Sequence, residues 1–454
     1  MDTYDVLVIG GGPGGYAAAL RARARGLSAA LIEKDKVGGA CLNRGCVPAK
    51  AWVAAAETMD HARLMQSLAQ APFEYRVDWK KMTARADKIV TQFRKSLATL
   101  LQKKGVEVIE GTGRFEGPHE AVAQGAGGTR SIKFKHAVVA TGTSPARLFD
   151  LPPELAVDSN SVFDLAAPPA SLIVVGASPI GCELAGVMAR MGTKVTMIEL
   201  LPRALPAEDS EVSAIIEREF KKHGIEVITG VKITSMAAAG AGVTATLEDG
   251  RTVEAEKTLI SVGRRFATAA LDLHKAGVKT GGRGRGVTDD HMRSSAGHIF
   301  AAGDVAGKRL LAYTAYREGM IATDTIAGID VGEARLVIPS AIFTIPEVAS
   351  VGVTEDHAPE GAKVGRFLPR GLARAHATDE IAGLVKIIAD GKSDQLLGVH
   401  LAGARATDMI HIAAVALAKR MTAAEFGELV FAHPTFAEAL LEAAHDIHGV
   451  SLHQ

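Results

Sequence analysis

Two cysteines five positions apart, Cys41 and Cys46, are the residues of this sequence best suited to redox chemistry. In an ideal helix that separation spans about 7.5 Å, whereas a disulfide requires Cα atoms closer than about 6.8 Å. The two can therefore be joined only where the backbone is irregular, which Gly45 and Pro48 permit. Thiols near a helix N-terminus are favoured as thiolates, the nucleophilic form. We expect a catalytic disulfide here, the alternative being two unrelated core cysteines.

The cysteine spacing also excludes other common sites. A separation of five residues fits neither a zinc finger nor a thioredoxin-type pair, and the sequence indicates no metal centre. The third cysteine, Cys182, lies in a predicted helix, where a small apolar side chain has a packing role.

The segment before the cysteine pair has the features of a dinucleotide-binding unit. A nearly continuous apolar strand, 4–9, leads into a glycine-rich turn and an alanine-rich helix. The next strand, 29–32, delivers Glu33, whose carboxylate can bind a ribose hydroxyl. The glycines in register for a pyrophosphate at the helix N-terminus are Gly10, Gly12 and Gly15.

The same arrangement recurs later in the chain. A strand over 172–175 leads into a second glycine turn, and after a helix the strand 194–198 ends at Glu199. The glycines in register are Gly176 and Gly181, while Ser178 replaces the middle glycine. Two such units predict two dinucleotide sites, with backbone approach to the phosphate restricted by Ser178 at the second.

Three later strands are predicted to end near bound nucleotide. The strand beginning at residue 136 ends at Gly142, and a strand over 258–265 contains Gly263. A third strand, 298–305, carries Asp304 at its C-terminal end, where ligands of open α/β sheets bind.

From about residue 335 the pattern becomes α+β, with a hairpin followed by helices over 404–419 and 435–444.

Composition limits the classes of function. At 454 residues the chain should form about three domains. Lys+Arg and Asp+Glu both number 51, so no net field attracts nucleic acid or an anionic membrane, and 5% aromatic residues argues against base stacking. The start has no signal-peptide pattern, and the longest apolar run, 171–189, is interrupted by polar and turn residues. We expect a soluble, cytoplasmic protein.

These motifs, in this order, resemble the flavin-dependent pyridine nucleotide–disulfide oxidoreductases over essentially the whole chain. Within that family they are most similar to the dihydrolipoyl dehydrogenases, with Cys-Leu-Asn-x-Gly-Cys at 41–46, Gly-Asp-Val at 303–305 and His-Pro-Thr-x-x-Glu at 433–438. The resemblance implies an α/β fold with two Rossmann-like domains, for FAD and NAD, and a C-terminal α+β dimerisation domain. The implied boundaries are 1–145 and 267–333 for the FAD-binding parts, 146–266 for the NAD-binding domain and 334–454 for the dimerisation domain.

The resemblance also implies roles for single residues. Cys41 would exchange with substrate, and Cys46 would face the flavin as the charge-transfer thiolate. Lys50 would lie near the flavin, paired with Glu183 of the second unit. The implied cofactor contacts are Gly10, Gly12, Gly15, Glu33, Lys50, Gly142 and Asp304 for FAD, and Gly176, Gly181, Glu199 and Gly263 for NAD.

Near the C-terminus, the resemblance makes His433 an acid/base held by Glu438, acting on the disulfide of the other subunit. The chemistry requires such a group, because a dithiol must lose a proton before it attacks a disulfide, and histidine titrates near the working pH. The alternative is a structural histidine at a helix start. Two positions depart from the family pattern. Ser178 replaces a glycine, and the chain has Leu-Ala-Tyr at 311–313 where the family commonly has Leu-Ala-His, so Tyr313 replaces a histidine.

The resulting hypothesis is a homodimeric enzyme that oxidises a protein-bound dihydrolipoyl group through the cysteine pair and FAD, reducing NAD⁺. The lipoyl arm would belong to another chain of a 2-oxoacid dehydrogenase or glycine-cleavage complex. The alternative is an NAD(P)H-dependent reductase of another disulfide, such as glutathione, although Glu199 would repel the 2′-phosphate of NADP.

Three further classes are disfavoured. Mercuric reductase lacks support because no vicinal cysteine pair ends the chain, and a transhydrogenase would not need Cys41 and Cys46. A flavoprotein kept only as a docking subunit would not need the intact catalytic set.

Overall fold

The computed structural model describes residues 2–332 and 336–453. The chain divides into two compact units. The first unit consists of Met1–Ala51, Thr83–Ala146 and Gly263–Arg335, and the second of Trp52–Met82, Arg147–Val262 and Leu336–Gln454. The three domain boundaries given above stay predictions, and the one between 333 and 334 lies outside the described residues.

The helices and strands are as follows. The α-helices are α1 (Pro13–Ala24), α2 (Gly39–Arg44), α3 (Cys46–Leu68), α4 (Trp79–Lys103), α5 (Pro179–Arg190), α6 (Ser210–Lys222), α7 (Ala312–Ile326), α8 (Ala373–Thr378), α9 (Ala406–Ala418), α10 (Ala423–Gly427) and α11 (Glu438–Asp446). The strands are β1 (Asp2–Ile9), β2 (Ala29–Glu33), β3 (Glu107–Glu110), β4 (Thr112–Gly117), β5 (Glu120–Gly125), β6 (Gly128–Val139), β7 (Thr143–Pro145), β8 (Ala156–Asp158), β9 (Ser171–Val175), β10 (Lys194–Ile198), β11 (Glu226–Ile228), β12 (Ile233–Ala239), β13 (Gly242–Leu247), β14 (Thr252–Ala255), β15 (Lys257–Ile260), β16 (Arg264–Phe266), β17 (Ile299–Ala301), β18 (Ser340–Ile342), β19 (Val348–Gly352), β20 (Lys363–Phe367), β21 (Leu384–Ala389) and β22 (Leu396–Ala402).

The first unit is built on a mixed sheet in the order β3-β2-β1-β6-β5-β4, with β17 also paired to β6. The strands β3, β2, β1, β6 and β17 run parallel, as Rossmann-like sheets do. Strand β1 is apolar on both faces because it lies between two cores. Leu7 and Ile9 enter one of them, and Val6 and Val8 enter the other, beneath α1 and α7.

The second unit repeats the parallel arrangement and adds an antiparallel domain. Its nucleotide-type sheet has the order β11-β10-β9-β15-β8. Strands β13 and β14 form a hairpin that turns at Asp249-Gly250, with Gly250 at φ +86°. The C-terminal sheet is antiparallel in the order β18-β19-β22-β21-β20, and α9 and α11 pack on it. The α/β class with a C-terminal α+β domain is thereby confirmed.

Several predicted elements are shorter in the structure. The strand predicted over 298–305 is β17, Ile299–Ala301, and the strand predicted to end at Gly142 ends at Val139. The strand predicted over 258–265 ends at Ile260, because Gly263 (φ +106°) turns the chain and Arg264 begins β16, which pairs with β7 in a separate sheet. The helix predicted from residue 435 begins at Glu438. The Thr435 N–H donates to the Glu438 side chain and therefore takes no part in the hydrogen-bond pattern of a helix.

A buried lysine joins α6 to the C-terminal sheet of the second unit. The Lys386 side chain on β21 is fully buried, and its Nζ lies 2.6 Å from Asp209 Oδ1 and 2.7 Å from Glu355 Oε2. It also pairs with Glu211, which Arg366 contacts at 2.9 Å. Burial opposes ionisation of Asp209, but the bond to Lys386 outweighs it, so the pKa of Asp209 is lowered.

Lys386→Met should therefore destabilise the protein strongly. Removing one partner of a buried ion pair leaves an uncompensated charge, which costs about 3–5 kcal/mol of unfolding free energy. Denaturant unfolding of the variant would measure the loss, with Lys392→Met, at an exposed position, as the matched control. Equal stability of the two variants would contradict the prediction.

Within residues 2–332 and 336–453, none of the helices is both long and apolar enough to cross a membrane. In the same part of the chain, no group of three or more His, Cys, Asp or Glu side chains is arranged to hold a metal ion.

Candidate active site

Cys41 and Cys46 form a disulfide on an interrupted pair of helices. Helix α2 ends at Arg44 and α3 begins at Cys46, because Gly45 between them has a φ of −152° and a ψ of −111°, which are not helical. This break brings the two Cα atoms to 4.7 Å, well inside the distance of about 7.5 Å in a continuous helix. A Cβ at Gly45 would lie 3.0 Å from the Ala40 carbonyl oxygen, so glycine suits the break. The predicted irregularity is confirmed.

The disulfide is accessible and its loop is fixed by an asparagine. Cys46 is exposed and Cys41 half-buried. Asn43 Nδ2 donates to the backbone carbonyls of Val37 at 3.1 Å and Gly39 at 3.0 Å, holding the turn that carries Cys41. The sequence reasoning did not assign Asn43 a role, although its place between the cysteines was a signal.

The glycine turn of the first unit leaves a helix N-terminus open. A Cβ at Gly10 would overlap the Ala140 carbonyl oxygen, and one at Gly15 would overlap that of Gly10, so both glycines allow close backbone packing. At Gly12 the nearest atom to an added Cβ is 3.9 Å away. Gly12 is the N-cap of α1, and no side chain in the described structure caps this helix. Its free N–H groups suit a diphosphate.

Glu33 is held at the end of β2 beside this turn. Its carboxylate accepts hydrogen bonds from the backbone N–H of Gly11 at 2.6 Å and of Asp35 at 2.8 Å. Because a carboxylate has about four lone-pair sites, capacity remains for a ribose hydroxyl. This is the arrangement that the sequence motif predicts.

Asp304 is positioned by residues remote in sequence. Its Oδ2 accepts from Thr143 Oγ1 at 2.6 Å, and Arg264 Nε donates to the same hydroxyl at 2.6 Å. The backbone N–H of the preceding Gly303 donates to Glu318 Oε2 at 2.7 Å. Burial raises the pKa of Glu318 to about 7. Sequence reasoning missed Thr143, Arg264 and Glu318, since no local motif marks them.

The first unit fits FAD on two further observations. The buried hydroxyls of Thr141 and Thr314 have no hydrogen-bond partner within the described part of the chain. Thr141 precedes Gly142, which has φ +67° and open space beside it. Thr314 lies in the first turn of α7, next to Tyr313, the departure from the family pattern. Unpartnered hydroxyls beside an open helix N-terminus are what a large polar ligand requires.

The second unit reproduces the geometry of the first. A Cβ at Gly181 would overlap the Gly176 carbonyl oxygen, as at the corresponding pair of the first turn. Glu199 accepts from the N–H of Ala177 at 2.7 Å and of Leu201 at 2.8 Å, matching the two bonds of Glu33. Gly263, which is the first residue of a segment of the first unit, has a positive φ and open space beside it, like Gly142. The residues fit a second dinucleotide.

His433 and Glu438 form a hydrogen-bonded pair at the start of α11. His433 Nδ1 lies 2.9 Å from Glu438 Oε1, and Glu438 Oε2 accepts the Thr435 N–H at 2.7 Å. Partial burial opposes ionisation of Glu438, but these bonds lower its pKa below the ordinary value. Because an ionised carboxylate only accepts, Nδ1 carries the proton and Nε2 of a neutral ring is the basic nitrogen. The imidazole is 71% exposed.

Each unit gathers part of the predicted site. The first holds the disulfide, the proposed FAD contacts and Gly263, and the second holds the other proposed NAD contacts and the His433–Glu438 pair. Lys50 lies four residues after Cys46 on α3, so both face one side of that helix. Glu183 is buried in α5 and accepts the Phe343 N–H at 2.9 Å. The Lys50–Glu183 pairing would require a contact between the two units and stays a prediction. Cys182 is fully buried, and burial raises the pKa of its thiol, in keeping with a packing role.

Comparisons with known proteins agree with this description. The family model for pyridine nucleotide-disulphide oxidoreductases matches residues 4–319, and the model for their dimerisation domain matches residues 338–444, which supports a homodimer. Dihydrolipoyl dehydrogenase of Thermus scotoductus is 36% identical over 463 residues, covering 100% of this chain and 99% of that protein. The Bacillus subtilis protein of the same name is 36% identical over 474 residues, covering 99% of each.

Two solved structures extend the comparison. LpdA from Mycobacterium tuberculosis has a TM-score of 0.90 and 29% identity, covering 98% of this chain and 99% of that one. The HOCl-induced flavoprotein disulfide reductase RclA from Escherichia coli has a TM-score of 0.87 and 25% identity, covering 97% and 99%. The chain therefore belongs to the pyridine nucleotide-disulphide oxidoreductases, and it is an FAD- and NAD-dependent enzyme of that family.

Proposed function

We propose that the enzyme oxidises a protein-bound dihydrolipoyl group to the lipoyl disulfide and reduces NAD⁺ to NADH. The observation that carries the proposal is the accessible Cys41–Cys46 disulfide on its interrupted helix pair. Full-length relatives at 36% identity named dihydrolipoyl dehydrogenase support the choice of substrate. The lipoyl partner would be a component of a 2-oxoacid dehydrogenase or glycine-cleavage complex, in the cytoplasm.

The residues of the chain account for the thiol chemistry. Nε2 of His433 takes the proton of one substrate thiol, and the thiolate attacks the Cys41 sulfur. The Cys41–Cys46 bond breaks, a mixed disulfide with Cys41 forms, and Cys46 leaves as a thiolate. The second substrate thiol, once deprotonated, attacks its partner sulfur, closes the lipoyl ring and releases reduced Cys41. The two electrons now reside on the cysteine pair, and bound FAD supplies the two-electron transfer from that pair to NAD⁺.

Glu438 acts through His433 in this scheme. Its carboxylate fixes the ring orientation and favours the imidazolium that forms when Nε2 accepts a proton. We propose that the active site is completed by a second chain, with His433 serving the disulfide of its partner. The exposure of the imidazole supports this arrangement, because its own unit leaves the ring accessible.

The experiment that tests the function compares substrates. NAD⁺ reduction should be rapid with dihydrolipoamide and with a dihydrolipoyl domain. The second candidate function is reduction of another disulfide, which the structural likeness to the disulfide reductase RclA favours. NADH oxidation with glutathione disulfide that exceeds turnover with lipoamide would establish that alternative.

NAD should be preferred to NADP. The Glu199 carboxylate is fixed by two backbone amides at the end of β10. It can accept bonds from ribose hydroxyls but opposes a 2′-phosphate, and like charges in contact cost several kcal/mol. We expect kcat/KM for NAD⁺ to exceed that for NADP⁺ by at least about ten-fold, and Glu199→Gln to narrow the ratio. Equal values with both nucleotides in the unmodified enzyme would refute the role of Glu199.

A further inference from the structure

The two dinucleotide turns, 10–15 and 176–181, share their first and last glycines and their proline, and one of the three positions at which they differ is the N-cap of the following helix. In the first, the N-cap of α1 is Gly12, with no side-chain cap among the described residues. In the second, the N-cap of α5 is Ser178, whose side chain caps the helix. The acids at the ends of the two units, Glu33 and Glu199, have equivalent positions. Each accepts a hydrogen bond from the backbone N–H of the residue after the first glycine of its turn. The serine is therefore the feature that distinguishes the helix cap of the second turn from that of the first.

The Ser178 hydroxyl already occupies the first turn of its helix. Its Oγ accepts the Gly181 N–H at 3.3 Å and lies 2.5 Å from the hydroxyl of Ser261, at the end of β15. Ser261 is buried, with 8% of its surface exposed. A diphosphate approaching α5 thus meets an amide that is already bonded and a hydroxyl that is already paired. At α1, no side chain of the described residues caps the corresponding amides.

We propose that the Ser178–Ser261 pair weakens the binding of NAD(H), and so sets nucleotide affinity in the second unit. The inference rests on the proposal that the second turn holds NAD. Bound diphosphate must displace the Ser178 hydroxyl from Gly181 or rotate it away from Ser261, and either change loses a hydrogen bond. FAD meets no such competition at Gly12. The difference suits the chemistry, because FAD must stay bound through many turnovers whereas NADH must leave after each.

Ser178→Gly on the FAD-loaded enzyme tests the inference. ADP-ribose is the probe, because it carries the diphosphate without a nicotinamide and cannot exchange electrons. Loss of one hydrogen bond of ordinary net strength corresponds to about a five-fold change in affinity, so calorimetry should give a Kd for ADP-ribose about five-fold lower. The helix tolerates this change, since replacing serine by glycine at an N-cap costs only a few tenths of a kcal/mol. FAD content should be unchanged.

Two further variants separate the causes. Ser178→Ala keeps the Cβ but removes the hydroxyl, so it should also tighten ADP-ribose binding. Gly12→Ser places the same cap in the first turn and should lower FAD retention. Unchanged or weaker ADP-ribose binding in both Ser178 variants would overturn the inference while leaving the site assignment intact. Failure of the unmodified, FAD-loaded enzyme to bind ADP-ribose would overturn both.

Discussion

His433→Gln should slow dithiol oxidation by about 10²–10⁴-fold, the usual value of a positioned general base. The imidazole is the group whose Nε2 is free to take the substrate proton, because Nδ1 is bonded to the ionised Glu438. Glutamine can keep a hydrogen bond to Glu438, but it cannot accept a proton at the working pH. The variant therefore removes proton transfer with little change in packing.

Stopped-flow measurement of the two half-reactions separates chemistry from folding. The rate of cysteine reduction by dihydrolipoamide should fall, while the rate of flavin reduction by NADH should stay near that of the unmodified enzyme. Glu438→Gln should cost less, because the imidazole remains and only its orientation and charge support are weakened. His357→Gln, at an exposed histidine of the same unit, is the control. If His433→Gln slowed both half-reactions equally, the residue would be structural.

Local sequence predicted the elements whose residues are constrained by their immediate neighbours. The strands delivering Glu33 and Glu199 appear where expected, since short and largely apolar runs that follow a helix and a glycine are typical of buried parallel strands. The acids are also found in matching surroundings, each bonded to a turn amide and to the N–H two residues on. The duplicated motif was informative because spacing and geometry repeat together.

Contacts between distant residues were not predictable from one sequence. Asp304 is bonded to a threonine 161 positions away, and nothing local to either residue indicates the pair. The sequence alone suggests an exposed side chain for Lys386, because lysines are seldom buried. The side chain is nevertheless fully buried, since three carboxylates from other elements surround it. The sequence places the start of α11 too early. The Glu438 side chain accepts a hydrogen bond from the Thr435 N–H, and helix propensities do not predict such a bond.

Mixed dimers of Cys41→Ser and His433→Gln chains should recover activity that neither variant has alone. Cys41→Ser removes the sulfur that exchanges with substrate, so its homodimers should have no measurable dithiol oxidation. If each site combines the disulfide of one chain with His433 of the other, a mixed dimer has one site carrying both defects and one site carrying neither. The intact site should give about half the activity of an unmodified dimer, far above either parent, in view of the 10²–10⁴-fold loss at His433.

The experiment requires two affinity tags, so that sequential purification isolates only dimers with one chain of each kind. Both parental homodimers, carried through the same steps, give the background rate, and a mixed dimer of Cys41→Ser with unmodified chains gives the reference for one working site. A mixed dimer at the background rate would place His433 and the disulfide of one chain in the same site. That result would overturn the two-chain site while leaving the acid/base role of His433 to be decided by its half-reactions.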